Sequence, residues 1–144
     1  MVSKKDLVLV TGGAGFIGSS IVDELLKRNF RVRIIDNFCT GRIENIKHIL
    51  GRIELVKGDI RDKKLVGKTM KGVGFVFHEA ALRSVPRSID DPGSTNDVNI
   101  TGTLNLLIAA RDNKVKRFIY ASSSSAYGDT KELPKKESQK PQPI

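Results

Sequence analysis

Apolar residues fall along the chain in two alternating kinds of block. Asp6-Leu7-Val8-Leu9-Val10, Arg31 to Asp36, Ile53 to Lys57, Phe75-Val76-Phe77-His78 and Arg117 to Ser122 are continuous runs of strand length. A run apolar toward both sides suits an interior strand of a parallel sheet. Between the runs the spacing becomes helical. Ile17, Ile21 and Leu25, with Val22 and Leu26, predict one stripe facing the first strands. Arg42 to Leu50 predicts a short helix, and Asp62 predicts the N-cap of another through Leu65, Val66 and Met70, ended by Gly72. Asp91-Pro92 reads as an N-cap followed by Pro at the first helical position. It opens a long helix around residues 94 to 112, whose buried face is marked by Ile100, Leu104, Leu107 and Ile108. From Ser123 to Ile144 the chain is polar and without apolar periodicity.

Strands alternating with helices imply an α/β fold. Parallel neighbours need crossover connections, and these are right-handed. The expected architecture is a doubly wound, Rossmann-like sheet in the order 3-2-1-4-5, as one domain over 1–144. With 144 residues and 39% hydrophobic content, a single core suffices without staples. The lone cysteine, Cys39, excludes an internal disulfide. No apolar run approaches the ~20 residues of a membrane span. The segment from Met1 to Asp6 reaches the first glycine turn too soon for a cleavable signal, so a cytoplasmic location is expected. The charge of +9 comes from scattered Lys and Arg without interleaved aromatics. It reads as solvated surface and argues against nucleic acid as a partner.

The chemistry starts after the first strand. Gly12, Gly15 and Gly18 stand in a Gly-x-x-Gly-x-x-Gly turn that also holds Phe16 and Ile17. Such a turn needs positive φ, an open approach for phosphates and close packing of helix on strand, and each requirement excludes a β-carbon. Free N–H groups and the positive helix end then face a diphosphate. A glycine triplet alone is also what an ordinary tight turn uses. Here an amphipathic helix follows it, and an acid, Asp36, closes the second strand, which points to a dinucleotide. A carboxylate at Asp36 accepts from both adenosine ribose hydroxyls and repels a 2′-phosphate, favouring NAD over NADP. Asn37, Thr40 and Gly41, just after it, are assigned to the same cofactor, while Arg42 is a candidate phosphate partner under the NADP alternative. Asp59 and Ile60, at the end of the third strand, either flank the adenine or, for Asp59, cap the loop before the next helix.

Six segments occur together in order. They are Thr11 to Gly18, Asp36-Asn37, Gly58-Asp59-Ile60, His78-Glu79-Ala80-Ala81, Asn99-Ile100-Thr101-Gly102-Thr103 and Ser122 to Asp129. In this the chain resembles the extended short-chain dehydrogenase/reductase family, in particular its NAD-dependent nucleotide-sugar epimerases and dehydratases. Val85-Pro86-Arg87-Ser88 and Leu133-Pro134 resemble most the UDP-hexose 4-epimerase branch, including members acting on N-acetylated sugars. The resemblance implies a tightly held NAD that removes hydride from C4 of a UDP-sugar and returns it to the other face of a transient 4-keto sugar. It implies that Ser123 bonds the reacting sugar oxygen as a catalytic residue, with Ser124 also on the sugar. It places Ala80, Ala81 and Arg83 along the cofactor, Ser84 where the sugar nucleotide passes and Asn99 on the nicotinamide side. No metal is implied. The Ser122 to Ser125 run also has a plain reading as a serine loop, and His78 reads as a packed strand-end residue rather than a base.

The family's proton transfer belongs to a Tyr-x-x-x-Lys pair on a helix, where Lys lowers the phenol's pKa. Tyr127 and Lys131 have that spacing, but Gly128-Asp129-Thr130 between them is turn-like, so Tyr127 is not taken as the base. The 144 residues end where that helix is expected, so the chain is expected to be an N-terminal part that binds NAD and by itself catalyses nothing. The family's homodimers use two long helices, of which one, around residues 94 to 112, is present. A dehydratase, a reductase or a non-catalytic NAD-binding module are the alternative functions.

Overall fold

A computed structural model describes residues 6–143. Residues 1–5, on which the signal-sequence reading rests, and Ile144 lie outside the described residues. Among those described, five strands form one parallel sheet: β1 (Leu7–Thr11), β2 (Arg31–Asp36), β3 (Glu54–Lys57), β4 (Val73–His78) and β5 (Arg117–Tyr120). Their spatial order is β3-β2-β1-β4-β5, as expected from the crossover rule. β1 lies at the centre and is buried throughout. Alternate side chains of a strand point to opposite faces, so β1 feeds two cores. Leu7 and Leu9 join Val73 and Val76 in one; Val10 joins Val32 and Ile34 in the other.

The first core is closed by α2 (Lys63–Thr69) and α5 (Thr103–Asp112), the second by α1 (Phe16–Lys27). Asp62 caps α2 as predicted, its carboxylate accepting from the N–H groups of Lys64 (2.9 Å) and Leu65 (3.0 Å). Two short helices, α3 (Val85–Asp90) and α4 (Pro92–Asn96), precede a π turn over Asp97–Gly102 that runs into α5. Asp91 is the N-cap of α4, accepting from Ser94 N–H at 3.0 Å.

Several expectations need correction. The helix expected over residues 42 to 50 is two 3₁₀ stretches, Ile43–Asn45 and Lys47–Arg52. Ile46 and Ile49 are both buried, and their spacing matches the three-residue repeat of a 3₁₀ turn better than an α stripe. β5 stops at Tyr120, short of the expected Ser122. The buried face of the long helix is a different one from that expected. Ile100, Leu104 and Leu107 are exposed and Ile108 is half-buried; Val98, Gly102, Leu106, Ala109 and Ala110 face the sheet. A π turn inserts a residue and rotates the face that follows. Close approach also selects small residues, since a Cβ on Gly102 would lie 2.7 Å from the Ile60 side chain.

The stripe on α1 is likewise divided. Val22 and Leu26 are buried with Gly18 and Ser19, whereas Ile21 and Leu25 are half-buried and Ile17 is exposed. The latter three border an open apolar trough of about 680 Å³, with Val8, Phe75, Phe77 and Ile119 as its floor. Here the β4 and β5 side of the sheet has no covering element among the described residues.

Removing the α2 cap leaves two helix N–H groups without a side-chain acceptor. Asp62→Ala is expected to lower unfolding stability by about 1 kcal/mol, read from the urea midpoint, an ordinary loss for an N-cap.

Candidate functional site

Between β1 and β4 the winding of the sheet reverses, and the carboxyl ends of these strands open into a cleft of about 650 Å³. Its floor is the glycine turn. Gly12 N–H donates to the Ile35 carbonyl (2.9 Å) and Gly15 N–H to that of Gly12 (3.0 Å). Gly12 has φ +67°, and a Cβ there would lie 2.9 Å from the Ala80 backbone nitrogen. A Cβ on Gly18 would strike the Gly12 carbonyl oxygen. Gly15 caps α1 in extended conformation with no side-chain hydrogen bond, so the first-turn N–H groups are not claimed by a capping side chain. Gly12, Gly15, Phe16, Ile17 and Gly18 all line the cleft.

Asp36, 7% exposed, stands beside this floor at the end of β2. Its Oδ2 accepts from Ala14 N–H (2.9 Å) and its Oδ1 from Phe38 N–H (2.8 Å). These bonds fix the carboxylate plane and leave each oxygen a further lone pair. A Cβ on Gly41 would lie 2.9 Å from both oxygens, which explains glycine there. Asn37, Thr40 and Gly41 line the same wall, and Arg42 is not among the lining residues. Asp59 serves its own loop: its carboxylate accepts from Arg61 N–H (2.8 Å), the Arg61 guanidinium (3.0 and 2.9 Å) and the Asn37 amide (2.7 Å). The Arg61 side chain is the main reason its carboxyl is held down at about 2. Asp59 and the buried Ile60 nevertheless both border the cleft.

The opposite wall is the stretch after β4, with Ala80, Ala81, Arg83 and Ser84. Asn99, in the π turn, brackets Leu82: its Oδ1 accepts Leu82 N–H (2.8 Å) and its Nδ2 donates to the Leu82 carbonyl (2.9 Å). Ser84 also caps α3, accepting from Arg87 N–H at 3.3 Å. His78 is the packed strand-end residue expected. It is 1% exposed, with Nδ1 2.7 Å from Thr11 Oγ1 and Nε2 2.8 Å from Thr103 Oγ1. Burial pushes its imidazole down to about 4.

The far end is built by the segment after β5. Ser123 lines the cleft and caps a 3₁₀ turn over Ser124–Tyr127, its Oγ accepting from Ser125 N–H at 3.1 Å. Ser122 and Ser125 also line it; Ser124, expected on the sugar, does not. Tyr127 sits in the same turn, which Gly128 ends at φ +62°, so Lys131 is not one helical turn beyond it. Cys39, Glu79 and Tyr120 line the cleft without having been assigned to it, and burial pushes the Glu79 carboxyl up. Cys39 and Tyr120 fall in none of the marked segments, and Glu79 stands in the His78 to Ala81 segment at a position with no physical reason for its type. Among the described residues no cluster of three metal-ligating side chains occurs.

Bare amides at one end of the cleft, glycines that leave room for backbone approach, and a carboxylate with free lone pairs suit a dinucleotide. The model of the NAD dependent epimerase/dehydratase family matches residues 8–144. A UDP-glucose 4-epimerase of Klebsiella pneumoniae is 40% identical over 137 residues, covering 91% of this chain and 99% of the relative. The structure of a UDP-N-acetylglucosamine 4-epimerase from Methanobrevibacter ruminantium, in complex with UDP-N-acetylmuramic acid, superimposes with TM-score 0.87 at 42% identity, over 98% of this chain and 45% of that one. That of a Thermus thermophilus UDP-glucose 4-epimerase in complex with NAD gives TM-score 0.85 at 40% identity, over 95% and 44%. Against curated relatives from Methanocaldococcus jannaschii and Pisum sativum the chain spans about two fifths of their length.

The buried neutral His78 has a consequence for acid stability. The unfolded ring takes up a proton below its ordinary 6.5, and the folded one resists until about 4. Stability from this site is therefore complete above pH 6.5 and is lost as pH falls toward 4, up to about 3 kcal/mol. Glu79, with its raised carboxyl, works in the opposite sense. Urea midpoints at about pH 7 and about pH 4.5 are expected to differ more in the wild-type chain than in His78→Gln; equal differences would assign the acid sensitivity elsewhere.

Proposed function

Because this chain belongs to the NAD dependent epimerase/dehydratase family, we propose that it forms the NAD-binding part of a UDP-sugar 4-epimerase. One observation carries the proposal: the uncapped N-terminus of α1 and the Asp36 carboxylate open into one cleft whose other end is the serine segment after β5. Along that cleft the amides of the glycine turn bind the diphosphate, and Asp36 holds the adenosine ribose and excludes a 2′-phosphate. Asn37, Thr40, Gly41 and Ile60 enclose the adenosine end, with the carboxylate of Asp59 at its rim. Ala80, Ala81, Arg83 and Asn99 line the way to the nicotinamide. Ser84 and Ser123 meet the sugar nucleotide, with Ser123 donating to or accepting from the reacting C4 oxygen.

An NAD held by the glycine turn and Asp36 would supply the hydride-accepting and hydride-returning chemistry at C4 of the sugar. The chain's own residues bind, orient and exclude water. Proton transfer needs a base that the described residues do not place on a helix, so the chain alone is inactive. The relatives that extend well beyond it support the view of an N-terminal part, 1–144, of a larger catalytic unit. Its location is cytoplasmic, consistent with a single exposed thiol at Cys39 and no helix among the described residues long and apolar enough to cross a membrane. The exposed Ile100, Leu104 and Leu107 are the surface through which two copies pair as a homodimer.

Calorimetric titration tests the proposal. The 144-residue chain is expected to bind NAD at least roughly tenfold more tightly than NADP, and Asp36→Ala is expected to lose roughly tenfold or more of the NAD affinity. A coupled assay with UDP-galactose is expected to show no turnover. Equal binding of NAD and NADP would remove Asp36 from its role, and turnover would refute the inactive-part view.

A further inference from the structure

The hydrogen-bonded relay through His78 has one direction. The Asn99 carbonyl oxygen can only accept, so the Thr103 hydroxyl gives it its single proton (2.7 Å) and must accept from His78 Nε2 (2.8 Å). At the other end Ala80 N–H donates to Thr11 Oγ1 (3.1 Å), which leaves the Thr11 proton for His78 Nδ1 (2.7 Å). The Thr103 end requires a neutral imidazole protonated on Nε2, and the Thr11 end, with its proton available for Nδ1, completes the same arrangement. The other tautomer would set two lone pairs against each other at Thr103, the bare Nε2 facing a hydroxyl whose proton is already given to the Asn99 carbonyl. The ring is also gripped from β5, edge-on by Phe118 at 5.8 Å and tilted against Tyr120 at 5.4 Å, so it is not free to turn and restore the bonds.

The relay starts and ends on backbone that forms the cleft. Ala80 opens the wall opposite Asp36, and two residues later the Asn99 amide holds Leu82 by both backbone groups. This wall touches the glycine turn without slack, since a single carbon added at Gly12 would meet Ala80 N at 2.9 Å and Cα at 3.0 Å. Any shift of Ala80 therefore changes the width of the cleft where the dinucleotide crosses it.

We propose that His78 is a positioning residue of the cofactor cleft: as its Nε2-protonated neutral tautomer it ties β1, β4 and the π turn together and sets the Ala80–Leu82 wall at the distance from the glycine turn that NAD requires. It touches neither cofactor nor substrate. This rests on the NAD-binding proposal above and adds to it a role for residues outside the cleft lining, Thr11, His78 and Thr103.

The full 144-residue chain is used for the test, with NAD as the probe. Nitrogen-15 NMR of the imidazole at neutral pH is expected to show His78 protonated on Nε2 and bare on Nδ1. Thr103→Val, which keeps shape and deletes the hydroxyl, is expected to weaken NAD binding roughly tenfold while the circular dichroism spectrum stays that of the wild type, and Thr103→Ser to bind within about twofold of wild type. A merely structural contact would lower the melting temperature of Thr103→Val and leave the affinity of the folded chain unchanged. A Nδ1-protonated ring overturns the assignment without recourse to any variant. Wild type that binds NAD alongside an equally tight Thr103→Val overturns the positioning role alone, whereas wild type that binds no NAD refutes the proposed function and the positioning role with it.

Discussion

The close contact of two backbones, Gly12 on the β1 side and Ala80 on the β4 side, is the constraint from which the cleft takes its shape. Only a residue without a Cβ allows it, and the same residue must adopt φ +67° to turn the chain from strand to helix. With Gly12 in place its carbonyl accepts from Gly15 N–H, and the absence of a side chain at Gly18 lets α1 settle against that carbonyl. The start of α1 is thereby directed at the point where the strands diverge. Central burial of β1 on both faces makes this turn the best-supported part of the sheet, since β2 and β4 both pair with it over its whole length.

Parts of this were legible in the sequence because they depend on local physical requirements. Strands buried on both faces appear as unbroken apolar runs, and the crossover rule then orders them; the glycines and Asp36 are recognisable because each has a steric or electrostatic reason to be that type. What escaped depends on distant partners. The face of α5 that meets the sheet follows from a π turn and from Ile60, which lies more than a helix away in sequence. The most apolar face was the wrong guide: Ile100, Leu104 and Leu107 are outside, and Gly102, Ala109 and Ala110 inside. His78 was legible as packed but not as part of a relay. Its two hydroxyl partners lie 67 and 25 residues away, and only the fold brings them to it.

Two apolar surfaces lie on opposite sides of the sheet, the trough beside α1 and the stripe on α5. They have a common position in the architecture, toward β4 and β5 rather than β2 and β3. On the β3 side the edge is dressed by charge, with Arg31 and Arg33 paired to Glu54. On the β5 side the corresponding strand has Phe118, Ile119 and Tyr120 next to one another, with only Arg117 charged. Charged edges discourage further pairing and apolar ones invite it. The chain spans about two fifths of the length of several curated relatives.

Electrostatics divide the cleft along its length. The net charge of +9 comes from Lys and Arg spread over solvated surface, and Arg83 is the one cation among the cleft-lining residues described. Positive potential on the cleft floor therefore comes from backbone N–H groups at the start of α1, which need no counterion and no side-chain entropy to hold in place. On the β2–β3 side negative potential comes from Asp36 and Asp59, where Asp59 is partly neutralised by Arg61 and Asp36 is bonded only to backbone amides; after β4 the third acidic group of the lining, Glu79, has its carboxyl pushed up by burial. A ligand with an anionic centre and a neutral diol at one end matches that arrangement. The same ligand with a phosphate on the diol would bring two negative charges to an almost fully buried carboxylate, and no cation among the lining residues stands beside Asp36 to offset them.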